Sequence, residues 1–348
     1  MMRGCAVFLL SVALACATPV DDWNAIVAMD AGPASTPENV EQARQLAAAH
    51  MARHKVLIED FLKKNPYSDR AFDARLRLAA ILAATGKMEK KQSLVDESML
   101  LLQKLERDKS AALTKRAEAG FRRVCLLMQS LQGQESARRG DLVAAARNYK
   151  VRYPGDRRAP RLLVEVATIC DNDTALKREL LEEARNLSME EGLNRRIADD
   201  LERLDLLNKP LPLRFPTLQN RAFDAASLRG RIIVLIFWSA ESAPSLLWIE
   251  EFRRALEKLP GDRLAIVTIS VDTDQNMVRE RIKEIGIADW PTGCDGKGWL
   301  GPLIEPFGIN AVPTVFILDQ QGVLRAINAR NSYESWIRRL LIQPAGAS

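Results

Sequence analysis

An abrupt change of texture at Asn208 to Pro216 divides this chain into two halves that cannot share one architecture. Before it, from residue 37 to about 206, the sequence is rich in Ala, Leu, Arg and Glu, with apolar residues at three- and four-residue spacing. Ile58, Phe61 and Leu62 form one such face, and Leu76, Ala79, Ile81 and Leu82 continue the pattern. Pro210, Pro212 and Pro216 then mark a stiff linker or an edge strand. Beyond them come five of the six tryptophans and an unbroken β-branched and aromatic run, Ile232 to Trp238, suited to a central buried strand.

At 348 residues the chain has room for about two domains. The expected boundaries are a leader over 1–17, an all-α region over 18–207 and an α/β domain over 208–348. Thr36 as cap, Pro37 at the first helical position and Glu38 in the first turn predict a helix start, and Gly86, Gly133, Gly140 and Gly155 punctuate the turns. Two stretches, FLKKNPYSDRAFDARLRLA from Phe61 and YKVRYPGDRRAPRLLVEVA from Tyr149, align without gaps. Each predicts a helix ending near Pro66 or Pro154 and a new helix after it, a helical hairpin whose apolar face needs neighbours. These hairpins resemble tetratricopeptide-type repeats, which bind other proteins or present a partner domain.

The first residues are a different material. Arg3 precedes CAVFLLSVALACA, an apolar run too short to span a bilayer and ending in small residues, the pattern of an export leader cleaved after Ala15 or Ala17. A second reading makes Cys16 a lipid-attachment residue, because Ala13-Leu14-Ala15-Cys16 resembles a bacterial lipobox. The chain is thus expected to be exported to the periplasm or cell envelope, meeting a membrane only if it is anchored through Cys16.

The net charge of +5 divides evenly between the two halves apart from Arg3 in the leader, and its basic pairs lack interleaved aromatics, so no nucleic-acid partner is expected. Cys125, Cys170 and Cys294 remain beyond the leader. Cys125 and Cys170 either pair in an oxidising compartment or serve as small buried apolar groups. The only histidines, His50 and His54, stand four apart on one helical face, but no third ligand accompanies them, and no metal site or cofactor is expected.

In the second half the pattern predicts a strand near Arg214–Leu218 with a hairpin to Ala222-Phe223, then strand Ile232–Trp238, helix Pro244–Leu259, strand Leu264–Val271 and helix Gln275–Ile285. Strands Val315–Leu318 and Val323–Ile327 follow around a turn at Gln320 to Gly322, and helix Ser332–Leu341 closes the domain. Four ordered blocks, SLRGRIIVLIFWSAESAPS, IVTISVDTD, WPTGCDGKGW and FGINAVPTVFILDQQG, resemble the TlpA/ResA-type thioredoxin-like family, within the wider group that includes alkyl hydroperoxide reductase. The resemblance covers Leu211 to Leu341 and implies a mixed central sheet flanked by helices.

It also implies a site, and here the chain departs from the family. The family places two cysteines, FWATWCxPC, where a helix N-terminus stabilises the first thiolate and the second resolves the mixed disulfide. In this chain FWSAESAPS puts Ser242 and Ser245 at the two cysteine positions, Glu241 at the tryptophan before them, keeps Pro244, and sets Ile236 where thioredoxin buries a carboxyl group. A hydroxyl is barely ionised near neutral pH and cannot cycle through a disulfide. Ser242 as a hydrolytic nucleophile would need a base, and both histidines belong to the other half, so it reads as a helix N-cap beside N–H groups able to hold an anion. Val312-Pro313-Thr314 matches the family's cis-proline loop, implying with Trp238 and Pro244 a groove for an extended polypeptide. The expectation is a protein- or peptide-binding or scaffold module without redox turnover. The alternative is a thiol-disulfide oxidoreductase or peroxiredoxin-like antioxidant protein working through Cys294 or a partner's cysteine.

Overall fold

Local capping chemistry starts the helices of the first half. Thr18 and Asp21 form a reciprocal capping box, the Thr18 N–H donating to Asp21 Oδ2 at 3.0 Å, with Pro19 at the first helical position of α1 (Pro19–Ala28). The following helix, α2 (Val40–Lys64), is capped by Asn39, whose side chain accepts the Gln42 N–H at 2.8 Å. The start expected at Thr36-Pro37 thus moves three residues on, because Asn39 takes the extended backbone and presents its oxygen to the first turn. The computed structural model describes residues 18–130, 135–171 and 173–342; the leader with Cys16, and Gly133, lie outside them.

Helices α3 (Ala71–Met88), α4 (Gln92–Arg107), α5 (Leu113–Ser130) and α6 (Glu135–Arg152) complete the first compact unit, which ends at Asp156. Pro66 and Pro154 each follow a helix end, as expected. Gly86 and Gly140 do not mark turns: both lie inside helices. At Gly86 the reason is packing, since a Cβ there would meet Val95 Cγ2 at 2.8 Å where α3 and α4 lie close together. Glu106, almost fully buried, is neutralised by Arg123 at 2.6 Å and Arg152 at 2.8 Å.

The second compact unit begins at Arg157 and joins three helices, α7 (Arg158–Ile169), α8 (Thr174–Leu187) and α9 (Glu191–Asp205), to the strands that follow. The prolines after α9 form an edge: the Asn208 N–H donates to the Leu324 carbonyl at 2.8 Å, Leu211 N–H to Gly322 at 2.9 Å, and Pro210 bridges Val323. A residue without an N–H is tolerated there because an edge strand leaves one side unpaired.

A short hairpin, β1 (Arg214–Pro216) and β2 (Ala222–Asp224), precedes the main sheet. That sheet contains β3 (Ile232–Trp238), β4 (Leu264–Ser270), β5 (Thr292–Gly293), β6 (Thr314–Leu318) and β7 (Leu324–Ala326) in the order β5-β4-β3-β6-β7. It is mixed: β3 runs parallel to β4 and antiparallel to β6. Helices α10 (Ala243–Leu256), α11 (Gln275–Glu284) and α12 (Tyr333–Ile342) flank it. This is the expected thioredoxin-like arrangement, with the two-residue β5 as its one strand too short to carry a period in the sequence.

Both faces of β3 are covered, which accounts for its unbroken apolar run. Ile232, Val234, Ile236 and Trp238 join the core with Trp248, Ile249 and Phe252 of α10 and with Ile337 and Leu340 of α12. On the other face Phe237 lies 5.2 Å from Phe316 and 5.4 Å from Phe307, ring centroid to centroid. Each such side chain, fully buried, contributes about 1.5–3 kcal/mol, so the central strand anchors the turn that leaves its C-terminal end.

Candidate functional site

The turn leaving β3 is held by a carboxylate from the neighbouring strand. Asp272, just past β4 and nearly buried, accepts the Ser239 hydroxyl at 2.7 Å, the Ala240 N–H at 2.7 Å and the Ser270 hydroxyl at 2.7 Å. The parallel register pairs Trp238 with Ser270, which places Asp272 beside residues 239 and 240. Asp272 was not singled out in the sequence. The only local signal is Ser270-x-Asp272, in which the serine oxygen takes the Asp272 N–H at 3.0 Å; the other partners lie more than thirty residues upstream.

Ser242 caps α10, its Oγ accepting the Ser245 N–H at 3.3 Å, with Pro244 in the first turn. The donors that could receive an anion are mostly engaged. Ala240 gives its N–H to Asp272, Glu241 to Ser239 Oγ, Ser242 to the Ser239 carbonyl and Ser245 to Ser242, while Pro244 has none. The anion rest considered from the sequence is therefore poorly supplied. Ser245 itself is fully buried, and its hydroxyl has no hydrogen-bond partner. An oxygen in that position is left unsatisfied, whereas sulfur, a weak donor and acceptor, loses little by the same burial.

The Val312–Pro313 peptide bond is cis. Thr314 opens β6 opposite Phe237 of β3, so the proline loop and the β3–α10 turn leave the same end of adjoining strands. The Thr314 hydroxyl donates to the Ala311 carbonyl at 2.7 Å, fixing the loop. Val312 is half-buried, Pro313 and Thr314 are buried and Pro244 is exposed. Among the described residues Val312 makes no main-chain hydrogen bond. Trp238 differs from expectation. Its ring is wholly buried in the core, so it supports the turn from beneath and lines no groove.

Cys294 follows β5 and is buried, its thiol donating to the Asp272 carbonyl at 3.3 Å while its own carbonyl accepts from Gln275 at 2.9 Å. Burial pushes its thiol above the usual 9.0, and the carboxylates of Asp272 and Asp295 push the same way. Cys125 is half-buried in α5 and Cys170 fully buried at the end of α7. His50 and His54 lie in α2, remote in sequence from these groups, and no cluster of three metal-ligating side chains exists among the described residues. No described helix is long and apolar enough to cross a membrane.

A family model described as thioredoxin-like matches residues 230–324. Among solved structures, a thiol-disulfide oxidoreductase from Bacteroides fragilis is 20% identical, with 36% of this chain and 96% of that one covered and a TM-score of 0.33. A thioredoxin family thiol:disulfide interchange protein from Chlorobium tepidum is 20% identical over 39% of this chain and 96% of that one, also at 0.33. A secreted disulfide oxidoreductase from Mycobacterium tuberculosis is 16% identical over 37% and 96%, at 0.32. No curated protein matches the chain. The second half thus contains a thioredoxin-like α/β domain.

Proposed function

We propose that this protein is an exported, non-redox binding module in which a thioredoxin-like domain keeps its polypeptide-binding loop and has given up its dithiol. The observation that carries the reading is the hydrogen bond from the Ser245 N–H to Ser242 Oγ: the residue at the first thiol position serves as a helix cap. The apolar leader with Arg3 supports export, to the periplasm or cell envelope, with Cys16 as the point of lipid attachment if the chain is anchored. The helical hairpins of the first half, tetratricopeptide-like in pattern, are suited to present this domain or to hold a partner protein.

Val312, which makes no main-chain hydrogen bond among the described residues, supports recognition of an extended polypeptide by added-strand pairing, with exposed Pro244 on the neighbouring turn. Catalysis through Cys294 is disfavoured by the thiol's burial and its raised pKa, because the attacking species in exchange is the thiolate. The partner is a protein or peptide, with no nucleic acid and no cofactor.

Two measurements test this. Dithiothreitol-driven insulin reduction proceeds at its uncatalysed rate in the presence of the purified chain; acceleration that disappears in Cys294→Ser overturns the reading. A photo-crosslinking side chain at Val312, in cells, yields a protein adduct that the same side chain at exposed Glu284 does not. Absence of that adduct removes the binding role.

A further inference from the structure

The segment from Thr18 to Gly32 lies against α2 and α3 through a small set of contacts, and two of them come from the chain's only histidines. His50 Nε2 bonds the Met29 carbonyl at 2.9 Å, and the His54 ring lies near the Ile26 main chain. Asp30, in the turn after α1, takes a two-pronged contact from Arg77 of α3, the shorter arm 2.7 Å. Asp22 reaches Lys64 at 3.3 Å on the exposed rim. Of the segment's apolar residues Ile26 is fully buried, against Ile58, Phe61, Ala74 and Ile81, while Trp23 sits 5.7 Å from Phe61 with Arg70 and Arg77 over its ring.

Beyond this segment the chain is loosely tethered. Gly32 has φ +84, open to a glycine and strained for other residues, and residues 33–40 are all exposed. The segment therefore has a hinge at one end and few anchors along its length. His54 is nine-tenths buried, and its Nε2, also buried, has no partner. A second proton would have to sit on that atom.

We propose that residues 18–32 form an acid-released strap, held at neutral pH by uncharged His54 and swung away about Gly32 when that imidazole takes a proton. Release uncovers the apolar seam between α2 and α3 formed by Ile58, Phe61, Ala74 and Ile81. The charged and titratable groups facing His54 are Asp30 from the strap, His50 from its own helix and Arg77 from α3. Burial disfavours the cation most, His50 and Arg77 oppose it as well, and Asp30 favours it but is already committed to Arg77; the net direction is a pKa below the ordinary 6.5. The sign follows. Above 6.5 docked and released states are both neutral and the strap stays down. Below it the released state binds a proton that the docked state refuses, so docking weakens as pH falls. A site of ordinary value 6.5 bounds this rise in the opening constant at about tenfold at pH 5.5.

The test is hydrogen–deuterium exchange of the full chain at pH 7.5 and 5.5, corrected for intrinsic exchange. Amides of residues 18–32 are expected to open more at the lower pH, by up to about tenfold, while α3 to α5 keep their protection. In His54→Asn, whose side chain stays polar but does not titrate, this pH dependence disappears. Equal protection of the strap at both pH values, or an acid effect that persists in His54→Asn, overturns the proposal. With only two histidines, ring carbon-13 NMR of the wild-type chain gives an independent readout. One imidazole is expected to titrate below 6.5 together with strap opening; both titrating at the ordinary value without opening refutes the strap even if the variant does not fold.

Discussion

The two serines at the start of α10 have opposite energetic roles. Ser242 Oγ satisfies a helix N–H, and the hydroxyl of Ser245, three residues on, is buried without a partner. Ser242→Ala is therefore expected to lower stability by about 1 kcal/mol through loss of the cap. Ser245→Ala, which removes an unsatisfied oxygen from the first turn of α10, should raise it by about the same amount. Urea unfolding of both variants checks the pair, and a loss at both positions would mean that Ser245 has a partner. At Cys294 the consequence is chemical: near pH 8 iodoacetamide should label the native thiol about tenfold or more slowly than the unfolded one, by peptide mapping. Because the folded state holds that proton above the ordinary 9.0, its contribution to stability is full below 9.0 and is lost as pH rises through the raised value. Ser242 could be recognised as a cap because its partner is three residues away. Asp272 could not, because its role depends on a turn brought alongside by the β3–β4 register.

Elements whose signals are periodic or short-range were legible. Strand β3 declared itself by an apolar run, and α10, α11 and α12 lie within a few residues of their expected bounds. The elements that escaped were governed otherwise. Helix α1 carries a plain Thr18-Pro19-x-Asp21 start, but it directly follows the apolar leader, and the first helix start expected from the sequence was the one at Thr36-Pro37. Gly86 reads as a turn until α4 is known to press against it. The most consequential hidden relation is between α9 and the 3₁₀ turn of residues 305–307 that precedes the cis-proline loop. Arg203, buried in α9, pairs with Asp200 and donates to the Gly308 carbonyl, and burial lowers its pKa to about 10. Replacing it by methionine keeps the stem but leaves Asp200 buried without its cation and Gly308 without its donor. The expected cost is about 3 kcal/mol in urea unfolding, with faster proteolysis near Gly308. A loss below about 0.5 kcal/mol would show that water replaces the guanidinium at little cost.

At the scale of the molecule, the change of residue texture and the change of compactness fall in different places. Texture shifts at Asn208 to Pro216, yet the second compact unit begins at Arg157 and takes in α7, α8 and α9. Hydrophobic periodicity reports which element a stretch forms; it does not report which core that element completes. Arg203 of α9 ties these helices to the sheet domain by donating to the Gly308 carbonyl, and the segment that follows α9 is held by main-chain pairing of Asn208 with Leu324 and by the Arg325 guanidinium on the Asn208 side chain at 3.0 Å. Buried Lys177 and Asp171 pair nearby, and the carboxyl group of Asp171 also receives a bond from Asn328. A fragment of residues 157–342 should therefore unfold in one cooperative transition. A fragment of residues 208–342, although it spans the whole thioredoxin-like sheet, leaves Gly308 and Asn328 without these partners and should unfold at lower urea with a shallower slope. Equal midpoints for the two fragments would show that α7 to α9 are only attached to the sheet domain. A higher midpoint for the longer one would make them part of its fold, and with them the support of the loop that carries Pro313.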